Sequence, residues 1–595
     1  MALLLLGSLL LAVAPGCQVP SWTSPAHGST SGRRPNVILV MTDDQGYGDV
    51  HAHGNTMIRT PNLDSLREQC VRLTDFHVDP TCSPTRSALM TGRYSTRTGV
   101  WHTILGRSLM SPDEHTVAEY LRAAGYRTGM FGKWHLGDNW PLRPRDQGFD
   151  EAVRHGGGGV GQGPDWWGND YFDDTYWCNG KPTKYSGYCT DVWFREALRF
   201  IENNKDRPFF CYLATNAPHD PLHVDAKWSQ GYVDRGVAPN QAKFYGMIEN
   251  IDWNMGRLMA RLDQLGLTKN TIVIFMTDNG TATGFVDRKR AAAGQWAGFD
   301  AGMRGHKGSK YDGGHRVPFF IRWPAGGIGG TSGKGRARDE RYLAAHIDVL
   351  PTLLDLCGVV PALDGKLPLL DGISLASRLR DPDAALPART LFVHSQRILQ
   401  PRKWRQCAVM TERWRLVDGK ELYDMVADPR QAHDVAKDHA DVVVSLSKAY
   451  DAWWASLAPA IARTVRIGLG SDVEPDSVLN AHDWQSIGPG GCPWSQVHVQ
   501  RGAKLHGQWF VDVAKAGEYE FELRRWVRQL DRPLEATSAK LIVGGRAQRQ
   551  TVAAGATHAK FRVDLPQGPT TVRGILELAG GGSRGAYYVY VSRVR

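Results

Sequence analysis

The sequence predicts an α/β fold: a mostly parallel sheet covered by helices on both faces, then a small antiparallel C-terminal sheet and an extra C-terminal β-sandwich. Three observations predict it. Uninterrupted apolar runs at residues 37–41, 208–213 and 271–276 suit strands buried on both faces. Amphipathic helical stretches separate these runs, which is the rhythm of a parallel, helix-covered sheet. Beyond residue 391 short alternating runs replace the long ones.

With 595 residues the chain exceeds what one core supports, so several domains are expected. The predicted segments are 1–34, an export signal and flexible leader; 35–390, the α/β domain; 391–466, a small antiparallel subdomain; 467–483, a linker; and 484–595, the sandwich. Residues 1–14 are nearly all apolar yet too few to cross a bilayer, as in the core of an export signal. The protein is therefore expected in the periplasm or outside the cell, with no stable membrane span. Cys17, after Ala14-Pro15-Gly16, offers a lipid-anchoring alternative. Residues 18–34 are rich in Ser, Gly and Pro, as flexible leaders are.

Taken in order, the run 37–41 stops at Asp43-Asp44. Pro61 opens a helix carrying Leu63, Leu66 and Cys70 on one face. A second helix covers 116–124, and a short strand at 127–131 leads to Lys133 and His135. After a helix at 191–203, the strand 208–213 leads to His219. The long helix 241–265 carries Phe244, Met247, Ile251, Met255, Leu258 and Leu262 at helical spacing, and the strand 271–276 ends at Asp278-Asn279. Ligands in such folds gather outside the carboxyl ends of the strands, so Asp43, Lys133, His219 and Asp278 can converge although distant in sequence.

Strands are then predicted at 391–393, 406–411 and 413–417, and a helix at 441–457. Alternations such as Trp509-Phe510-Val511-Asp512-Val513 predict the sandwich, whose role is either carbohydrate binding or packing.

Composition narrows the function classes. No Lys/Arg run is dense enough for nucleic acid. The net charge of +10 fits an acidic substrate and simple solubility equally. Nine cysteines show neither zinc spacing nor a disulfide framework; Cys178 and Cys189 flank a loop and are either paired or two free thiols.

Two constellations carry chemistry. In Cys82-Ser83-Pro84-Thr85-Arg86-Ser87-Ala88-Leu89-Met90-Thr91-Gly92-Arg93, Ser83 can cap a helix, Pro84 suits its first turn and Gly92 can end it. Position 82 would then face the positive end of that helix, and Arg86 would add a planar charge able to grip two oxygens. Asp43-Asp44 with Asp278-Asn279 offers only hard oxygen ligands, which suits calcium or magnesium rather than zinc.

The Cys-x-Pro-x-Arg core with its Thr91-Gly92-Arg93 tail resembles the modification signature of the type I sulfatases, members of the alkaline phosphatase superfamily. The stretch 125–137, Gly-Tyr-Arg-Thr-Gly-Met-Phe-Gly-Lys-Trp-His-Leu-Gly, resembles their second signature. The likeness covers residues 35–460. It implies an alkaline-phosphatase-like sheet, sulfate ester hydrolysis, and conversion of Cys82 to formylglycine by a maturation enzyme. It also implies one calcium held by Asp43, Asp44, Asp278, Asn279 and the modified residue 82. Lys133 would hold a sulfate oxygen, and His135 would bond the hydrated aldehyde and take its proton; their alternation on an extended strand end would turn both to one face. His219, in Ala217-Pro218-His219, would help protonate the leaving oxygen, with His223 as competitor. Lys307 matches the last active-site lysine, with Lys310 as competitor. Thr85 and Asp312 stand where Ser and Glu are common, outside the chemistry.

Substrates of this type are sulfated small molecules or glycans. Trp166-Trp167 and Tyr171, after the glycine-rich stretch 156–163, either line a sugar-binding entrance or pack locally. Two rivals remain. A phosphonate or phosphate monoester hydrolase of the same superfamily is the nearer, although two-metal phosphatases need further Asp/His ligands where this chain has Asn279. An inactive glycan-binding protein would have lost Cys82, Arg86 or a metal aspartate, and all are present.

Overall fold

A computed structural model describes residues 33–360, 363 and 369–594. The expected export signal and Cys17 lie outside the described residues. Among the described residues, no helix is long and apolar enough to cross a membrane.

A ten-stranded sheet organises the first part of the chain. From one edge its order is Arg338–Glu340, Val71–Leu73, Phe319–Arg322, Thr271–Thr277, Asn36–Thr42, Phe209–Ala214, Arg127–Gly132, Glu151–Arg154, Thr175–Cys178 and Lys181–Lys184. The five strands from Thr271–Thr277 to Glu151–Arg154 run parallel. Side chains of a strand alternate between the two faces. Val37, Leu39 and Met41 accordingly pack on one side with Leu121, Leu350 and Leu353. Ile38 and Val40 pack on the other with Phe194, Met255 and Leu258. Helices therefore cover both faces, and every residue of Asn36–Thr42 is buried.

Register places the functional loops together. Thr42 pairs with Thr277, Met41 with Ala214 and Gly132 with Ala214. The segments that follow these three pairings leave the sheet along one rim. The long helix is Pro239–Gln264; it begins two residues before the predicted start because Pro239 is preset for a first turn.

Leu391–His394, Cys407–Met410, Trp414–Val417 and Glu421–Asp424 form a four-stranded antiparallel sheet, with the helix Ala440–Ser456 packed against it through Leu446, Tyr450 and Trp453. The last part contains a seven-stranded and a four-stranded sheet around Trp484, Trp509, Phe521 and Val589.

The stretch 467–483 departs from expectation. It is not a linker: Ile467–Leu469 pairs with Gly507–Val513, and Asp476–Asn480 pairs with Tyr588–Arg593. Its Gly, Ser and Asp content masks buried Ile467, Leu469 and Leu479, which contribute to the terminal core.

Candidate active site

Cys82 is the first residue of a ten-residue helix, Cys82–Thr91, closed by Gly92 in the left-handed conformation (φ 66°). Thr81 takes the capping position, without a side-chain cap bond. Ser83, the sequence candidate for the cap, is already inside the helix, and its buried Oγ has no partner among the described residues. The expected consequence holds nonetheless: residue 82 lies at the end of the helix that attracts negative charge.

Asp43 and Asp44 follow the central strand, and Asp278 and Asn279 follow its neighbour. All four are buried. Cys82 Sγ lies 3.4 Å from Asp43 Oδ1, and Lys133 Nζ lies 2.5 Å from Asp43 Oδ2. Lys307 Nζ lies 2.5 Å from Asp44 Oδ1. Arg86 donates to Asp278 Oδ2 through Nε and Nη2, at 3.1 and 2.7 Å, and to the Lys133 carbonyl through Nη1 at 3.0 Å. The Arg86 fork is thus engaged by the protein, orienting Asp278 and contributing charge.

Three buried carboxylates therefore face three cations. Burial pushes every charged form up in energy. For Asp43 the cations outweigh burial: Lys133 first, then His219, Arg86 and Lys307 hold it well below the usual carboxylate range. For Asp278, burial and then Asp43 win, and its carboxyl is pushed up to about 6 despite Arg86. Burial, with Asp43 beside it, pushes the Cys82 thiol up to about 12, so as a thiol it would be a poor nucleophile at neutral pH.

A divalent cation fits this donor set. Among the described residues, Asp44 Oδ2 and Asn279 Oδ1 are buried oxygens without a hydrogen-bond partner, and the set is rich in carboxylate. Asp43, Asp44, Cys82 and His219 each offer a ligand atom within 4.8 Å of the others. Hard oxygens at this density suit calcium or magnesium.

His219 belongs to the cluster. Its Nδ1 lies 2.6 Å from the Asp220 carbonyl and must donate to it, which turns Nε2 toward Asp44 Oδ2 at 3.7 Å. The competitor His223 is held by the Asp170 carbonyl at 2.9 Å. Lys310, the competitor of Lys307, is bound to Asp418 at 2.5 Å.

His135 departs from its predicted setting. The strand ends at Gly132, so Lys133 and His135 are loop residues, and His135 has φ 62°. Its Nε2 donates to the Thr103 carbonyl at 2.9 Å, leaving Nδ1 as the bare nitrogen of the neutral ring. Burial, then the charge of Lys133, holds its pKa well below the ordinary value, so the ring is an unprotonated base. Gly158 makes this possible, because a Cβ there would lie 2.1 Å from His135 Cε1.

Sequence reasoning missed the supporting groups: the Thr103 carbonyl, Gly158, and His482, whose ring centre lies 6.0 Å from that of His135. The glycine run 156–159 was a visible signal. His482 had none, being more than 300 residues away in the chain. Tyr171 is fully buried, its hydroxyl donating to the His219 carbonyl at 2.6 Å, so it supports the site and lines no entrance. Cys178 and Cys189 are free thiols.

The sulfatase family profile matches residues 35–359. Human arylsulfatase A is 32% identical over 419 residues, covering 65% of this chain and 73% of the relative. The N-acetylgalactosamine-6-O-sulfatase of Bacteroides thetaiotaomicron is 28% identical, covering 74% of this chain and 98% of the relative. Among solved structures, Ps i-CgsB in complex with k-i-k-neocarrahexaose is similar, with a TM-score of 0.60 and 27% identity over 71% of this chain and 93% of that one. Shared family over more than half of the chain carries the conclusion: this chain belongs to the sulfatase family of the alkaline phosphatase superfamily and is an enzyme that hydrolyses sulfate esters.

Proposed function

We propose that this sulfatase cleaves sulfate monoesters of carbohydrates through a formylglycine at position 82. The observation that carries the proposal is the seat of Cys82, with Sγ 3.4 Å from Asp43 and Lys133 and Lys307 on the adjoining carboxylates. The thiol stands where the aldehyde carbon's oxygens would be after a maturation enzyme has acted. Carbohydrate is favoured because relatives include an N-acetylgalactosamine-6-O-sulfatase and a protein complexed with an oligosaccharide.

Asp43, Asp44, Asp278, Asn279 and residue 82 would hold one calcium ion, which supplies positive charge against the sulfate oxygens. Lys133, Lys307 and Arg86 add fixed charge where the transition state gains it. One hydroxyl of the hydrated residue 82 attacks sulfur and passes its proton to Asp43 Oδ1, the acceptor beside that side chain; the S–O bond to the alcohol breaks, and the alcohol oxygen takes a proton from His219 or Lys307, both beside Asp44. His135 Nδ1 then takes the proton of the second hydroxyl, the C–O bond to sulfate breaks, and the aldehyde returns. A serine or an unmodified cysteine has no second hydroxyl and would remain sulfated. The protein is proposed to be exported, on its apolar first residues.

Mass spectrometry of the peptide containing residue 82, from a preparation of measured specific activity, tests the proposal. An aldehyde in proportion to activity is expected. A fully active preparation that retains the thiol overturns it. Matched aryl sulfate, phosphate and phosphonate esters separate the sulfatase reading from its phosphonate rival.

A further inference from the structure

A cleft lies outside the catalytic cluster, where the loop 163–167 meets the terminal sandwich. Its volume is about 430 Å³. Three half-buried indoles, Trp166, Trp167 and Trp177, line it together with the ring of Tyr590. Among the described residues, none of these indole N–H groups has a protein acceptor. Trp166 meets Trp177 edge to face at 6.0 Å, and Trp167 meets Trp526 in the same way at 5.6 Å. Aromatic walls with free donors, where a loop meets the terminal sandwich, are the makings of a ligand site.

The sandwich holds these walls rigidly. Gln496 Nε2 lies 3.2, 3.4 and 3.3 Å from the carbonyl oxygens of Gln162, Asp165 and Trp166, which share its two N–H donors. Gly168 N donates to Gln496 Oε1 at 3.2 Å, Tyr588 OH to the Gly163 carbonyl at 3.2 Å, and Gly163 N to the Trp494 carbonyl at 2.8 Å. The loop that carries Trp166 and Trp167 is therefore fixed by the sandwich before any ligand arrives, which lowers the ordering cost of binding.

Charge selects the ligand. The two arginines of the cleft are already paired: Arg154 with Asp138, and Arg143 with Asp146 and Glu474. A third, Arg528, lies 4.1 Å over the Tyr590 ring and is paired with Glu522. Among the described residues lining the cleft, no unpaired cation is left to receive a sulfate. Exposed Asp476 forms no salt bridge among the described residues, is only partly offset by the charge of Arg528, and would repel a sulfate. Exposed Gln529 and the indole N–H groups can bond hydroxyls, and the C–H face of a pyranose matches the negative face of an indole.

We infer that this junction cleft is a second carbohydrate site, which holds an uncharged pyranose unit of a glycan and not a sulfated one. The inference rests on the carbohydrate reading of the substrate and extends it by giving the sandwich a share in glycan binding.

Calorimetric titration of the full-length Cys82→Ala protein with uncharged hexasaccharides (neoagaro-, malto- and cello-) tests it. Saturable binding of at least one is expected, weakened about tenfold or more by Trp167→Ala or Trp177→Ala. In the otherwise wild-type enzyme these two substitutions should leave turnover of a small aryl sulfate unchanged. A sulfated counterpart of the bound sugar should bind more weakly, and Asp476→Asn should narrow the gap. Absence of binding by all three sugars, binding indifferent to both tryptophans, or tighter tryptophan-dependent binding of the sulfated sugar overturns the inference. Failure of the parent enzyme to turn over aryl sulfate would count against the proposed catalysis and leave the cleft result standing.

Discussion

Lys133 Nζ lies 2.5 Å from Asp43 Oδ2, on the carboxylate whose other oxygen faces Cys82. One aspartate thus joins a loop lysine to the first residue of the signature helix, with neither charged group exposed. Removing the lysine leaves a buried carboxylate with less compensation. Lys133→Ala is expected to lower kcat/KM about 10²- to 10³-fold, as loss of one transition-state charge does. It should also destabilise the fold by about 3 kcal/mol without added metal. Steady-state kinetics and denaturant titration check both; a loss of less than threefold in kcat/KM would remove Lys133 from the site.

Cys82→Ala is expected to abolish turnover. The side chain is small, so the fold should stay within about 1–2 kcal/mol of the parent. Near-normal turnover in this variant would refute the role of residue 82.

Metal removal probes the oxygen cluster. Chelation should remove most activity, and calcium or magnesium should restore it. Melting temperature should rise with added calcium, since a ligand that binds only the native state stabilises it. Asp278→Ala should abolish that rise. Full activity in a verified metal-free sample would contradict the assignment.

Lys307 and Lys310 are three residues apart and bind different carboxylates, Asp44 and Asp418. Lys307→Ala should cost about 10²-fold or more in kcat. Lys310→Ala should stay within about threefold of the parent, because the Asp418 pair is part-exposed and such pairs contribute little. Equal losses from the two substitutions would erase the distinction.

Acid stability should report a second buried network. Asp75 accepts from Arg415 at 2.9 Å and meets His77 at 2.9 Å, and Arg415 also reaches Asp312. Burial alone would raise the Asp75 pKa, but Arg415 and then His77 hold it below the carboxylate range. A group depressed in the folded state contributes stability above its unfolded pKa, about 4, and loses that contribution as pH falls further. Asp75→Asn should therefore flatten the fall in stability below about pH 4. An unchanged acid limb, measured by urea titration at several pH values, would show that the network is not the cause.

The chain's local chemistry was legible in its order of residues. Runs such as 37–41 and 271–276 announced strands buried on both faces, because no polar residue interrupts them. Asp43, Asp44, Asp278 and Asn279 were identifiable because each pair follows such a run. Cys82 and Arg86 were identifiable by spacing within one helix. These are short-range signals, fixed by the two-residue period of a strand and the turn of a helix.

Only the tertiary structure decided which groups meet. Strand register brought Thr42 level with Thr277 and so set the two acidic pairs side by side. It gave Asp44 to Lys307 and Asp418 to Lys310, a choice spacing could not make. It placed His135 on the Thr103 carbonyl in a left-handed loop, and drew 467–483 into the terminal sheets against its turn-like composition. Contacts between residues hundreds of positions apart depend on how whole sheets stack, and burying the apolar faces of those sheets settles that arrangement before any single polar pair can.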